Sequence, residues 1–195
     1  MGMRSAAPGA ASGTLRLYRL ATATRPARQV CMEPAVRAGQ WHEAGDRVLY
    51  GYESEELAAL SLSHLTLGVE PARLVHERIE LPADPWLHAE FNVAEDPRAR
   101  RAMASHGTAL PLVNLCEVLR ERNLLAVWVR SPYVTRQRTV LIHVDHPDFE
   151  RVRIRSHVMP GEQFFAHGPC SAEPDDAWAP TQILRHAAGP HGMRP

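Results

Sequence analysis

The chain has no excess of either charge and no long apolar run. Its 195 residues carry 22 Lys plus Arg and 22 Asp plus Glu, so the formal net charge is zero. This balance excludes the bulk electrostatic attraction by which basic proteins bind nucleic acids or anionic membranes. No segment approaches the roughly 20 apolar residues of a membrane-spanning helix, and the first dozen residues lack the apolar block of a signal peptide. We therefore expect a cytoplasmic protein that binds neither nucleic acid directly nor a membrane.

Cysteine is also scarce, since only Cys31, Cys116 and Cys170 occur, far apart and odd in number. That spacing argues against a disulfide framework and against a zinc ribbon. Cys116 lies in an apolar helical pattern with no base nearby in sequence, which favours a core thiol over a nucleophile. His146 is interpreted as a residue that ties down a turn, and we expect no bound metal.

Length and pattern predict one α+β domain with loosely ordered ends. Residues 1–14 form a flexible N-terminal segment, 15–165 carry the apolar periodicity, and 166–195 form a tail rich in Pro, Ala and Gly. The middle segment is long enough to bury a hydrophobic core without disulfides or metals. Strand patterns outnumber helical ones and their order is mixed, which predicts a mixed central β-sheet with flanking helices.

Apolar alternation and apolar runs locate the secondary structure. Strands are predicted at 15–20, 47–50, 73–81, 124–129 and 140–144, with a further strand starting at 152–154. Helices are predicted at 54–67 and 112–119, with a short polar helix at 97–105. The segments 21–37 and 84–94 show little apolar pattern and are predicted to be irregular. The strand at 73–81 is expected to be partly exposed.

The stretch from residue 38 to 65 combines a turn, a strand and a helix. Gly39 and Gly45 give the turn its backbone freedom, and the short strand after it ends at Tyr50. Ser54 is a candidate helix cap. We expect the helix to present one face formed by Leu57, Leu60 and His64. A turn, a tyrosine and a helix arranged in this way form the wall of a pocket.

The first strand raises a question about Arg19. Strict alternation places Arg16 and Tyr18 on one face and Arg19 on the other. An inward Arg19 would need an anion as its partner, whereas the alternative is a strand-edge charge in water. The sequence pattern favours the second interpretation.

The order of several segments from 15 to 154 resembles the RES family, which is named for its Arg, Glu and Ser. The segments are RLYRL, AGQW, RVLY followed by a helix, LVHERIELP, Ser131 and VLIHVDHPDFERVRI. The resemblance implies a fold similar to ADP-ribosyltransferases of the diphtheria-toxin type. It also implies an NAD-consuming toxin of a toxin–antitoxin system, with NAD as substrate and an Xre-type antitoxin as partner. A second copy of the chain is a further candidate partner.

Cleavage of the nicotinamide–ribose bond creates an oxocarbenium-like centre. A site for it needs cations for the pyrophosphate, an aromatic ring for the nicotinamide and a carboxylate near the ribose. By resemblance, Tyr50, Ser131 and Arg19 match the Tyr, the Ser and the opening-strand Arg of the family. An ordinary packing role is the alternative for Tyr50. The candidate catalytic residues are therefore Tyr50 and Ser131, and the candidate nucleotide-binding residues are Arg19, Gln40, Tyr50, Ser61 and Ser131.

Two family positions carry different residues in this chain. Gln40 stands where the family has Arg, and Ser61 stands where it has Glu, with the spacing to Tyr50 preserved. An amide binds a diphosphate less strongly than a guanidinium, and a hydroxyl cannot stabilise positive charge as a carboxylate can. Arg37 is a candidate replacement for the cation, and Glu53 and Glu56 for the carboxylate. His64 is a candidate base, with a structural role as the alternative.

Three functions follow as alternatives. The first is an active NAD-consuming RES toxin in which neighbouring groups replace the lost pair. The second is a catalytically silent RES-fold module that binds a nucleotide or a protein. The third, unrelated to NAD, is a small-molecule enzyme that uses the His-rich surface provided by 11 histidines.

Overall fold

The computed structural model describes residues 13–23, 25–65, 72–92, 113–130, 136–162 and 179–180. Within these ranges, eight strands form one mixed sheet on which three α-helices pack, so the chain is α+β. No helix in the same ranges has the length and apolar character that crossing a membrane requires.

The strands and helices alternate irregularly along the chain. The strands are β1 Thr14–Thr22, β2 Val48–Tyr52, β3 Arg73–Pro82, β4 His88–Phe91, β5 Ala126–Arg130, β6 Arg138–His143, β7 Arg153–Pro160 and β8 Ala179–Pro180. The helices are α1 Ala27–Met32, α2 Glu55–Leu65 and α3 Leu115–Glu121. In the sheet the strands run in the order β4-β5-β6-β2-β1-β3-β7-β8. Only β4 and β5 pair in parallel; the other described pairs are antiparallel.

The sheet separates two apolar layers. Residues directly opposite each other in antiparallel strands project to the same side, so the pairing of Tyr18 with Tyr52 defines one face. Helices α2 and α3 cover this face, which we call the α2 face, and Leu57 and Leu115 are fully buried there. Leu17 projects to the opposite face, which we call the α1 face, and packs in the core that includes Ala27 and Cys31 of α1.

Two segments that were predicted to be irregular contain regular secondary structure, and one strand that was predicted to be partly exposed is buried. The segment 21–37 contains α1, and the segment 84–94 contains the 3-10 helix Pro85–Leu87 and strand β4. These elements are short and depend on tertiary partners, so they leave no periodic signal. Strand β3 is buried along most of its length because β1 and β7 flank it and packing covers both faces.

Helix α2 begins as predicted but presents a different face. The Leu57 backbone N–H donates to Ser54 Oγ at 3.1 Å, which confirms Ser54 as the cap. Leu57 is buried, whereas Leu60 is 43 % exposed, so the predicted face is wrong. The buried face is instead formed by Leu57, Ala58, Ser61 and Leu62.

Some predictions fall on residues that the structure does not describe. These are the polar helix at 97–105, the start of the helix at 112, Ser131, the His64 side chain and most of the C-terminal tail. Of the tail, Ala179–Pro180 pairs with β7. The predicted turn at His146 is confirmed, because its Nδ1 accepts a hydrogen bond from the Asp148 backbone N–H at 3.1 Å.

Candidate functional site

Tyr50 lies on the α2 face, where its hydroxyl meets a histidine. Strand β2 continues to Tyr52, so Tyr50 lies in the middle of the strand and not at its end. Its Oη lies 2.8 Å from His42 Nδ1, and the two rings meet edge to face. Burial raises the pKa of Tyr50 and lowers the pKa of His42. At neutral pH the pair is therefore an uncharged phenol and an uncharged imidazole joined by a hydrogen bond.

The turn before β2 places His42 against Tyr50. The Gly39 backbone N–H donates to the His42 carbonyl at 2.9 Å, which closes the turn. A Cβ at Gly39 would overlap the His42 ring, so the ring occupies space that only glycine leaves open. Trp41 anchors the turn, since it is 2 % exposed and its carbonyl accepts from the Leu115 backbone N–H at 3.0 Å.

Gln40 occupies the middle of this turn. Its amide nitrogen is buried and has no hydrogen-bond partner among the described residues. A buried donor without a partner is costly and uncommon in folded proteins. The position that the resemblance assigns to phosphate binding therefore holds an unsatisfied donor close in sequence to the Tyr50–His42 pair.

Ser61 lies on the same face, but its hydroxyl is hydrogen-bonded to Tyr52. Its Oγ lies 2.5 Å from Tyr52 Oη, and both residues are 8 % exposed. The hydroxyl therefore has its partner inside the packing between α2 and β2. Tyr50 and Tyr52 alternate to the same side of β2, which brings Tyr50 and Ser61 to one face of the sheet.

Arg19 lies on the other face. It projects opposite to Tyr18, and its guanidinium forms an ion pair with the fully buried Glu77 and a 3.0 Å hydrogen bond to the Arg25 carbonyl. Glu77 also accepts from the Ala27 backbone N–H at 2.6 Å. Arg19 thus has the anion that an inward position needs, and the preferred prediction of a strand-edge charge in water is wrong. This geometry separates Arg19 from the Tyr50 side of the sheet.

The groups suggested as replacements, Arg37 for the cation and Glu53 and Glu56 for the carboxylate, are either exposed or paired with another side chain. Glu53 is held by Arg138, whose Nε and backbone N–H donate to the carboxylate at 2.8 and 2.6 Å. Glu56 and Arg37 are exposed. Ser131 and the side chain of His64 lie outside the described residues.

A further constellation on the α2 face was not anticipated from the sequence. His76 Nε2 lies 3.5 Å from Glu55 Oε1, and the two side chains are 5 % and 18 % exposed. The ring of Tyr18 stacks against His76 with a centroid separation of 6.2 Å. The alternation of β3 indicates which residues share a face with His76, but the approach of α2 to β3 leaves no local signal.

The electrostatics of this pair follow from burial. Burial lowers the pKa of His76 to about 4, and nearby His157 adds to the effect. Burial also raises the pKa of Glu55, with a contribution from Glu56. The geometry is that of an ion pair, yet the imidazole is uncharged at neutral pH. We therefore describe Glu55 and His76 as a desolvated polar contact and not as a salt bridge.

The described cysteines do not have the environment of a reactive thiol. Burial raises the pKa of both Cys31 and Cys116 to about 12, which confirms Cys116 as a core thiol. No group of three His, Cys, Asp or Glu side chains with metal-binding spacing occurs in the described ranges. Comparisons with protein-family models and with curated proteins return no match for this chain.

Proposed function

We propose that this chain is a RES-like domain that binds NAD or a related nucleotide, and that it has lost bond cleavage at the position of the family carboxylate. The observation that carries the proposal is the buried amide nitrogen of Gln40, which has no hydrogen-bond partner in the described part of the chain and lies in the turn that places His42 against Tyr50. A phosphate oxygen is a suitable acceptor for such a donor. The identity of the ligand as a nucleotide is inferred from the resemblance in segment order.

Tyr50 supplies the second contact of the proposed site. Stacking of a base or a nicotinamide ring on an aromatic side chain contributes about 1–3 kcal/mol. The hydrogen bond to His42 holds the Tyr50 ring in one orientation, which reduces the entropy lost on binding. Gln40 contributes a neutral hydrogen bond, which is weaker than the charge-assisted bond of the Arg that the family has there.

The loss of cleavage rests on Ser61. A carboxylate stabilises the positive ribosyl centre, and residue 61 offers only a hydroxyl that is already bonded to Tyr52 at 2.5 Å. Glu53 is held by Arg138 and cannot take this role without breaking that pair. Binding of an Xre-type antitoxin stays a prediction that rests on the family resemblance.

The proposal is tested by calorimetric titration of the full chain with NAD. Tyr50→Ala should weaken binding about tenfold or more, because it removes the stacking surface. Gly39→Ala should weaken it to a similar degree, because the new Cβ displaces His42 from Tyr50. Gln40→Arg should strengthen binding about tenfold by supplying a cation to the pyrophosphate.

Gly13→Ala is the matched control for the glycine variant. A Cβ at Gly13 would meet only the Ala83 side chain at 3.5 Å, an ordinary contact. This variant should bind NAD like the parent chain. If NAD does not bind to the parent chain, or if Tyr50→Ala and Gly39→Ala bind it unchanged, the proposed site is incorrect.

A further inference from the structure

We propose that Arg16, Arg153 and Arg155 form a docking surface for an extended acidic segment of a partner protein. The three side chains lie at one corner of the α2 face, which we call the arginine corner. Docking there does not require a nucleotide, because none of the three belongs to the proposed NAD site.

Strand register brings the three arginines together. Arg16 lies two residues before Tyr18 on β1 and therefore shares the α2 face. Glu80 of β3 lies directly opposite Arg16 on one side and directly opposite Arg153 of β7 on the other. Arg155 lies two residues after Arg153 on β7. Because opposite residues and alternate residues project to the same side of a sheet, the three guanidinium groups share one corner.

The arginine corner carries positive charge that the described residues do not compensate. Arg16 and Arg153 are exposed, and Arg155 is half-buried. None of the three forms an ion pair or a side-chain hydrogen bond with the described part of the chain. Glu80 lies between them, but its carboxylate is 3.5 Å from Arg78 Nη2, so the charge of Arg78 offsets it. The three outer guanidinium groups therefore remain available to anions.

Other arginines of the chain serve the fold. Arg19, Arg47 and Arg138 each pair with a carboxylate from a distant segment. The arginine corner makes no such connection. All 22 cationic side chains of the protein are arginines and none is lysine. A guanidinium presents a planar fork of donors that binds a carboxylate through two parallel hydrogen bonds, so the corner is suited to carboxylates.

The spacing of the corner matches an extended peptide. Arg153 and Arg155 alternate along β7, so their Cα atoms are roughly 7 Å apart. Acidic residues at alternate positions of an extended segment project to one side with the same roughly 7 Å repeat. Arg16 lies across β3 from Arg153, about 10 Å away, within reach of a third carboxylate. A segment in which acidic residues alternate can therefore contact all three arginines.

The small size of the corner favours a peptide over a nucleic acid. The corner spans two rows of residues, roughly 7 Å along the strands. In the next row along β3, His76 has the Glu55 carboxylate 3.5 Å from its ring, and that charge would repel a longer polyanion. Nucleic-acid-binding proteins neutralise a series of phosphates along an extended basic surface. This chain instead has a formal net charge of zero.

The test is fluorescence anisotropy with the full chain and a labelled peptide in which glutamate and serine alternate. The peptide should bind, and its affinity should fall as salt is added, because exposed ion pairs are screened. Each of the single variants Arg16→Gln, Arg153→Gln and Arg155→Gln should weaken binding about threefold, and the triple variant about 30-fold.

A second triple variant is the matched control. Arg73→Gln, Arg122→Gln and Arg130→Gln together remove the same charge from exposed arginines outside the corner. This variant should keep the parent affinity within about twofold. Glutamate at all three corner positions should abolish binding of the acidic peptide and create binding of a peptide in which lysine and serine alternate.

Failure of the parent chain to bind the acidic peptide, or equal losses in the corner and control variants, would overturn the proposed docking surface and leave NAD binding unaffected. Tighter binding of single-stranded oligouridine than of the peptide, lost in the corner variant, would replace the protein partner by a nucleic acid. Should the triple variant fail to fold, unchanged affinity in all three folded single variants would also overturn the assignment.

Discussion

Arg19 and Glu77 illustrate at the scale of single residues how an apparent ligand-binding arginine is engaged by the fold. Glu77 is fully buried and accepts hydrogen bonds from Arg19 and from the first backbone N–H of α1. This contact attaches α1 to the sheet. The resemblance predicts a nucleotide-binding role for Arg19, whereas its geometry supports a structural one.

Replacement of Arg19 by methionine tests the structural role. It should lower the free energy of unfolding by about 3–5 kcal/mol, because a buried carboxylate loses the charge that compensates it. Urea denaturation measures the change, and Arg153→Met is the control, since Arg153 is an exposed arginine on β7. A stable Arg19→Met variant with weakened NAD binding would contradict the structural role and support the nucleotide-binding role that the resemblance implies.

His42 and Gln40 are residues whose importance emerges only from the folded turn. The sequence motif AGQWH predicts a glycine-rich turn, and the structure has a turn there in which Trp41 is buried. The contact from His42 to Tyr50 spans eight residues and depends on how the turn meets β2. Side-chain orientation across a turn has no periodic signal, so the motif alone did not indicate it.

At the scale of the element, α2 shows the difference between predicting a helix and predicting its orientation. Ser54, Glu55 and Glu56 mark the N-terminus correctly, because capping and the helix dipole are short-range effects. The apolar residues fit more than one stripe at helical spacing. Packing against Tyr52 and Leu20 selects the stripe that includes Leu57 and leaves Leu60 outside.

A pair of leucine substitutions on α2 measures this orientation. Leu57→Ala should reduce the free energy of unfolding by about 2–5 kcal/mol, since the side chain is fully buried and its removal leaves a cavity. Leu60→Ala makes the same chemical change at a position that is 43 % exposed and should cost less than about 1 kcal/mol. Thermal unfolding of both variants gives the comparison, and equal losses would contradict the observed rotation of the helix.

At the scale of the whole molecule, the buried His76 and three half-buried histidines make the stability of the fold depend on pH. Burial is the main cause that lowers the pKa of His42, His76, His88 and His143. These residues lie in different parts of the sheet and its turns. In the folded chain they stay neutral at a pH where the same residues in the unfolded chain bind protons.

Stability should therefore fall as the pH is lowered from about 7 to about 4. Unfolded histidine titrates near pH 6.5 and folded His76 near 4, so unfolding takes up a proton in this window. His76 alone accounts for a loss on the order of 3 kcal/mol. The pKa of Glu55 is raised in the folded chain, so this carboxyl has the opposite effect on stability: its contribution is lost as the pH rises and the carboxyl ionises.

Urea denaturation between pH 7.5 and 5 measures how steeply the free energy of unfolding changes with pH. His76→Gln removes the titrating ring and should make the dependence on pH shallower, whereas replacement of the exposed Glu56 by Gln should leave it nearly unchanged. A parent chain whose unfolding free energy is constant over this range would contradict the expected behaviour of these four histidines.

The α+β class, most strands, the cap of α2 and the turn at His146 could be predicted from the sequence, because they depend on neighbours a few residues apart. The choice of face for Arg19, the bond of Ser61 to Tyr52 and the approach of Glu55 to His76 could not. These depend on strand register and helix rotation, which are set by the packing of distant segments around one core. Only the tertiary structure therefore shows which polar groups remain open to a ligand and which already serve the fold.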